Sequence, residues 1–137
     1  MAKKQKSWVF VPSKPSKPKV PPTEKTAVQA RADQVVETVL KPEHIKPMPE
    51  DYQFNYLVDI YTKWHQHYFY FCAKYHSPGP NAISPEFEVK FARLEYVAND
   101  RYNLAYMRHT GQWWELGQNL SLETCLTAIQ NQPEFMP

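Results

Sequence analysis

The apolar residues change their spacing twice along the chain, from the period of a helix to that of a strand and back again. In the first segment they recur at i, i+4, i+7, i+8 and i+11, which is one face of a helix; they are Val28, Ala32, Val35, Val36 and Val39. Thr23 or Thr26 is the expected N-cap, and Thr26 with Gln29 fits a capping box. Asp33 falls on the polar side. We expect the helix to end at Lys41-Pro42, because a residue before proline is pushed out of the helical region.

From Phe54 onward the apolar residues alternate with polar ones, which indicates strands. The first strand has an apolar face made of Tyr56, Val58, Ile60, Thr62 and Trp64. The chain is expected to reverse at His65-Gln66-His67. The second strand turns four residues inward, namely Phe69, Phe71, Ala73 and Tyr75.

The third predicted strand runs from about Phe87 to Val97, and its inward phase changes partway. The first half alternates in one phase and the second half in the other; the residues are Phe87, Val89 and Phe91, then Leu94 and Tyr96. One extra residue reconciles the two halves, so the sequence predicts a β-bulge near Ala92. Asn99-Asp100 is the expected turn into the next strand.

The segment Arg101 to Leu116 is predicted to be a hairpin that turns at Gly111 and ends with a strand over Trp113 to Leu116. It holds two of the four Trp and two of the nine Tyr of the chain. A second helix is expected after it, capped by Ser121 and closed by Pro133. The apolar face of that helix consists of Leu122, Cys125, Leu126 and Ile129.

The order of these elements predicts an α+β fold: an N-terminal helix, an antiparallel meander of about five strands and a C-terminal helix. Both helices are expected on the same side of the sheet, so the other side stays partly wet and carries aromatic residues. Residues 23–137 are predicted to form a single α+β domain. Residues 1–22 are predicted to be a disordered or extended arm, because its prolines recur every third residue, at Pro12, Pro15, Pro18 and Pro21.

Charge is divided unevenly between the two parts. Residues 1–25 carry seven Lys and one Glu, a net charge of +6, whereas residues 26–137 carry nine Lys and Arg against thirteen Asp and Glu, a net charge of −4. Attraction to phosphate is therefore expected mainly in the arm, where Lys14 and Lys17 lie along one edge. Neither a signal peptide nor an apolar run of the ~20 residues that span a bilayer is found. No membrane contact is therefore expected. Two cysteines do not make a disulfide framework, so a cytoplasmic location is expected.

Several short motifs together resemble a known family. They are Lys41-Pro42-Glu43-His44-Ile45-Lys46-Pro47, Tyr96-Val97, Tyr106-Met107-Arg108 with Trp113, and Leu120-Ser121-Leu122-Glu123. In this order and spacing, over residues 30–135, the chain resembles a family of small bacterial proteins catalogued as a domain of unknown function. The resemblance implies a fold unit and no assigned activity. The family tends to have an acidic residue and a His where this chain has Thr110 and Trp114.

Catalytic and metal-binding patterns are weak. His65 and His67 are the best metal candidates, but a zinc site needs three or four ligands, so no metal site is predicted. Cys125 lies on an apolar helix face and Cys72 has no neighbouring base, so neither is predicted to be a nucleophile. With three glycines and no Gly-rich run, the chain has no phosphate-binding loop. No catalytic residue and no cofactor are predicted, and the protein is expected not to be an enzyme.

The aromatic and basic residues of the hairpin are the main candidates for function. The predicted binding residues are Arg101, Arg108, His109, Trp113 and Trp114, with Lys14 and Lys17 of the arm. One hypothesis is a small interaction module that binds a protein partner or itself through an aromatic sheet face and the arm. The alternative is a single-stranded nucleic-acid binder, in which Tyr102, Tyr106 and the two Trp stack on bases and the arginines contact phosphates.

Overall fold

The computed structural model describes residues 18–47, 54–78 and 85–137, and in these residues five antiparallel strands form one sheet. The strands are β1 (Tyr56–His65), β2 (Tyr68–His76), β3 (Glu86–Ala98), β4 (Arg101–Met107) and β5 (Trp113–Leu120). They lie side by side in chain order. The predicted α+β class and the meander are therefore confirmed. The predicted arm, including Lys14 and Lys17, lies outside the described residues up to position 17.

The first helix, α1 (Pro22–Val35), begins one residue before Thr23 and four before Thr26, the two predicted caps. Pro22 suits the first helical position, since a residue there needs no N–H partner and its φ is already helical. The predicted caps are wrong: no side chain caps this helix, and the Thr26 hydroxyl donates instead to the Pro22 carbonyl. Asp33 was expected on the polar side of the helix. Its carboxylate instead faces the sheet, where it accepts a hydrogen bond of 2.5 Å from the Thr62 hydroxyl on β1.

The predicted end at Lys41-Pro42 is also wrong. A π-helical turn, Val36–Leu40, follows α1, and the Lys41 N–H donates to the Val36 carbonyl five residues back. A further helical turn, α2 (Lys41–His44), then contains Pro42, and the extended backbone resumes at Ile45. Pro42 has no N–H to donate, and its ring needs room beside the carbonyl four residues earlier. The wider π-helical turn directly before it provides that room.

The helices share one face of the sheet, as predicted. The last helix, α3 (Leu122–Asn131), is capped by Ser121, whose Oγ accepts the Thr124 N–H at 3.2 Å, and it ends before Pro133 as expected. Buried residues of both helices pack with the inward residues of the strands, and Val20 before α1 and Phe135 after α3 belong to the same core. The core includes Val28, Ala32, Val35, Val36, Leu40, Ile60, Phe69, Phe71, Leu94, Tyr102, Leu104, Cys125, Leu126 and Ile129.

Bulges decide which residues face the core. In β3 the extra residue is Phe91, between the pairs Phe71–Ala92 and Cys72–Lys90, which confirms the bulge predicted near Ala92. In β1 an unpredicted extra residue at Val58 reverses the phase, so Leu57 packs against the core. The predicted inward face of β1 is therefore correct only from Ile60 onward.

The predicted turns are present, but the last strand is longer than expected. Gln66, Asp100 and Gly111 each have a positive φ, of 56°, 53° and 83°, in the turns that follow β1, β3 and β4. The end predicted for β5 at Leu116 is wrong, since it continues to Leu120 with two register shifts. Its continuation is supported by Asn119, whose N–H donates to Asn103 Oδ1 at 3.0 Å.

The face of the sheet opposite the helices is called the open face below. Its residues follow from the strand register, because directly opposed residues in antiparallel strands point to the same side. Tyr61, Lys63, Tyr68, Tyr70, Cys72, Lys90, Arg93, Glu95, Asn103, Ala105, Met107 and Trp113 belong to it. The expectation of a second, partly wet and aromatic side is therefore confirmed.

Candidate functional site

The two tryptophans of the hairpin point to opposite faces of the sheet, because they are consecutive residues of one strand. Trp113 opposes Met107 on the open face, whereas Trp114 opposes Tyr106 on the helix side. Trp114 is 51% exposed, and the Arg108 guanidinium lies over its ring at 4.8 Å from the centroid. The predicted hairpin site is thus divided between two surfaces.

The remaining predicted hairpin residues are also apart. Arg101 begins β4 and Arg108 directly follows its last residue, and the Arg101 guanidinium donates to the Asp100 carbonyl at 2.8 Å. His109 is exposed in the turn. Tyr102 is fully buried, and Tyr106 packs edge-on against Phe135 at 6.3 Å. The residues that stack on bases in the alternative hypothesis do not form one surface: Tyr102 is buried in the core, and Tyr106 packs against it.

A different group does come together on the open face. The Arg93 guanidinium of β3 lies between two rings, 4.7 Å from the centroid of Tyr68 on β2 and 4.9 Å from that of Trp113 on β5. Tyr70 adjoins this arrangement, with its ring 5.9 Å from Trp113 and 6.0 Å from Tyr68. Together with Lys63 and Lys90, these residues are called the open-face patch below.

Two local features of the sequence place Arg93 in this position. The bulge at Phe91 changes the phase of β3, so that Arg93 faces away from the helices although Phe91 contributes to the core. Ala105 lies between β3 and β5, directly opposite Arg93 in the register, and is itself fully covered. Because alanine has so short a side chain, the guanidinium can cross β4 and reach the Trp113 ring.

A carboxylate with three partners borders the patch. Glu88 accepts hydrogen bonds from the Tyr61 hydroxyl and from the ammonium groups of Lys63 and Lys90, at 2.9 and 3.2 Å. The hydrogen bond from Tyr61 is the main cause that lowers the pKa of Glu88 to about 2, and the two lysines act in the same direction. Two positive charges therefore share one negative charge here.

Arg93 has no such partner. Its Nε is enclosed and makes no hydrogen bond, and no carboxylate of the described residues lies within 4 Å of its guanidinium. The other carboxylates of the face are engaged: Glu95 lies 3.5 Å from His67, Glu115 accepts from Gln118, and Glu86 lies 3.9 Å from Lys74. Arg93 is thus the arginine of this face that is held by rings alone.

Both cysteines are buried, and the histidines of the described residues lie in turns and at the ends of α2, β1 and β2. Burial raises the pKa of the Cys72 thiol to about 11 and that of the Cys125 thiol to about 12, which suppresses the thiolate. His65 is exposed, whereas His67 lies in the turn with its ring 4.1 Å from Tyr68. Within residues 18–47, 54–78 and 85–137, no three His, Cys, Asp or Glu residues are grouped so as to hold a metal ion.

Arg93, Tyr68 and Tyr70 were not among the binding residues predicted from the sequence. A usable signal was present, since the inward phase of Phe69 and Phe71 already placed both tyrosines on the other face. The predicted bulge likewise placed Arg93 there. What the pattern did not contain was the lateral order of the strands, which sets Trp113 of β5 beside Arg93 of β3.

The fold and the open-face patch define a small α+β domain with helices on one face of an antiparallel sheet and a cationic aromatic surface on the other. No helix of the described residues is long and apolar enough to cross a membrane. A family model described as "Domain of unknown function (DUF3024)" matches residues 20–137, so the chain belongs to the DUF3024 family, and the predicted resemblance is confirmed. No curated protein and no solved structure matches the chain significantly.

Proposed function

We propose that this protein is a non-enzymatic interaction module that binds a protein partner, or a second copy of itself, through the open face of its sheet. One observation carries the proposal: the helices cover one face, and the other face presents the ring–arginine–ring arrangement of Tyr68, Arg93 and Trp113. Aromatic residues and arginine are enriched where proteins contact each other, because they bury a large area with few rotatable bonds.

The suppressed thiols support a binding role over nucleophilic catalysis, since a nucleophilic cysteine needs a lowered pKa. They also support a cytoplasmic location, because Cys72 and Cys125 are both free and buried, as is usual in a reducing compartment. The lysine- and proline-rich residues 1–22 are proposed as a second, auxiliary contact.

The test compares two variants that remove the same side chain from opposite faces. Trp113→Ala alters the open face, and Trp114→Ala alters the neighbouring position on the helix side. Proteins retained by immobilised wild type from an extract of the source organism are identified by mass spectrometry. Binding is then measured again with the purified partner, and self-association is followed by sedimentation velocity.

The expected result is that Trp113→Ala loses the partner or the self-association, whereas Trp114→Ala keeps it. Thermal unfolding of both variants checks that they are folded. If Trp113→Ala is unstable, Tyr70→Gln is the replacement, because Tyr70 is only partly buried on the same face. Equal retention by wild type and both folded variants would overturn the proposal.

A further inference from the structure

We propose that the open-face patch binds an acidic protein segment in an extended conformation, with one carboxylate on Arg93 and a second carboxylate, two residues away, on Lys90. This inference rests on the proposed function and names the chemistry of the partner. Arg93 and Lys90 are the two cations of β3 on this face; Arg93 opposes Tyr70 in the register, and the Lys90 ammonium lies over the Tyr70 ring at 5.6 Å from its centroid.

The guanidinium of Arg93 is preorganised to bind a carboxylate. The rings of Tyr68 and Trp113 hold it from both sides, so little of its conformational freedom remains to be lost on binding. Of its nitrogens only Nε is both enclosed and unpartnered, and the side chain as a whole is partly exposed, so the Nη groups are the donors open to a ligand. A planar fork of N–H donors matches the two oxygens of a carboxylate.

The second position follows from the register of the sheet. Arg93 opposes Tyr70 and Lys90 opposes Cys72, and these two partners are two residues apart in the regular strand β2. Their separation along the strand is about 7 Å, which equals the spacing of alternate side chains in an extended peptide. The Lys90 ammonium shares Glu88 with Lys63, so positive charge remains for a second carboxylate.

The charge of the patch excludes the N-terminal arm of the same chain as its occupant. Residues 1–25 carry a net charge of +6, so the arm of the same chain is repelled from the open-face patch, where Lys63, Lys90 and Arg93 carry three positive charges beside the one negative charge of Glu88. Glu95, on the same face, is engaged with His67. An acidic segment is attracted to the same surface, and its negative charge offsets the unpaired guanidinium.

The rings favour a peptide over a nucleic acid. Arg93 covers one side of the Tyr68 and Trp113 rings, and a further ring lies near each, since His67 is 4.1 Å from Tyr68 and Tyr70 is 5.9 Å from Trp113. This leaves less ring area on which a base stacks. The hydroxyl groups of Tyr68 and Tyr70, in contrast, make no hydrogen bond with any described residue. They are therefore available as donors to carboxylate oxygens.

The experiment uses three fluorescein-labelled nonapeptides with blocked ends and a threonine background. The first has glutamates separated by one residue, the second has adjacent glutamates, and the third has glutamines in place of both. Fluorescence anisotropy at low salt is expected to show binding of the first, weaker binding of the second and none of the third. Affinity for the first should fall as salt is added, because charge pairs at a surface are screened.

The protein variants test whether binding requires Arg93 itself or only the positive charge of the protein. Arg93→Gln keeps a polar side chain of similar reach and is expected to weaken the first peptide about tenfold or more, since charge-assisted hydrogen bonds are the strong ones. Arg93→Lys is expected to recover only part of the affinity, because an ammonium lacks the fork. Arg31→Gln is the matched control: Arg31 pairs with Glu123 on the helix side, and its loss should leave binding unchanged.

Three results would overturn the inference. One is absence of binding to the first peptide, another is equal binding by wild type and Arg93→Gln, and the third is tighter, Arg93-dependent binding of a dodecamer of thymidylate, which would make nucleic acid the ligand. Each differs from failure of the proposed function, which is read from the natural partner and Trp113→Ala. If the partner requires Trp113 but no acidic peptide binds, the open face is an interface of another chemistry.

Discussion

The hydroxyl of Tyr102 donates a hydrogen bond of 2.5 Å to the Glu24 carboxylate and so connects β4 to the first turn of α1. The ring of Tyr102 is fully buried, and burial together with Glu24 raises the pKa of its phenol well above the ordinary value. One side chain thus supplies both core volume and a polar link between the two layers.

Replacing Tyr102 by Phe should lower the free energy of unfolding by about 1–2 kcal/mol, because a buried hydrogen bond to a charged group is lost while the ring remains. Urea denaturation at neutral pH measures the change. Tyr106→Phe is the control, since the hydroxyl of Tyr106 has no hydrogen bond with the described residues. Equal stability of the two variants would mean that the bond to Glu24 contributes nothing.

The lowered pKa of Glu88 predicts that the free energy of unfolding depends on pH. Its pKa is lowered from 4.5 to about 2, so the folded state gains stability from the carboxylate above pH 4.5 and loses it as the pH falls toward 2. Glu88→Gln should therefore be less stable than wild type at pH 7, by about 1 kcal/mol once screening near the surface is included. The difference should be mostly lost near pH 2.

Urea denaturation at several pH values between 2 and 7 tests this dependence. Glu134→Gln, which removes an exposed carboxylate near the C-terminus, serves as the control and should follow the wild-type curve. A constant difference between Glu88→Gln and wild type at all pH values would contradict the assignment of the effect to ionisation.

Leu126 tests the packing of α3. The residue is fully buried on the face predicted from its spacing, and Leu126→Ala should cost roughly 2–5 kcal/mol, because both the apolar contacts and the filled volume are lost. Its exposed neighbour provides a control in Thr127→Ala, which should change stability by less than ~0.5 kcal/mol. A cost below ~1 kcal/mol for Leu126→Ala would show that α3 is not part of the core.

Val20 tests the contribution of the segment before α1. It is 8% exposed and packs into the core, so Val20→Ala should lower the free energy of unfolding by about 1.5 kcal/mol, from the loss of two buried methyl-sized groups. The matched control is Val97→Ala, at a position that is 39% exposed. If the two variants unfold alike, the segment before Pro22 does not stabilise the fold.

The periodicity of the sequence was sufficient for most elements and for one irregularity. The bulge in β3 was predictable because the inward residues change phase visibly between Phe91 and Leu94, whereas the bulge at Val58 was hidden, since Tyr56 and Val58 are themselves apolar. The helix was extended past Pro42 by a π-helical turn, which is a matter of carbonyl positions that side-chain spacing does not encode.

The candidate site was less predictable than the fold for a related reason. The hairpin residues that stand out in sequence are close in the chain, but alternation sends Trp113 and Trp114 to opposite faces. The residues that do meet, Tyr68, Arg93 and Trp113, come from three strands. Their meeting depends on register, on a bulge and on the small size of Ala105, none of which is a property of any one segment.

The bulges in the outer strands also limit what the sheet can join. Among the described residues β1 pairs only with β2 and β5 only with β4, and both outer strands carry extra residues, at Val58 in β1 and at Leu116 in β5. A strand approaching either edge from solution meets a broken row of backbone donors and acceptors and cannot extend a continuous ladder. The sheet is therefore protected from growing sideways into aggregates while its open face stays accessible.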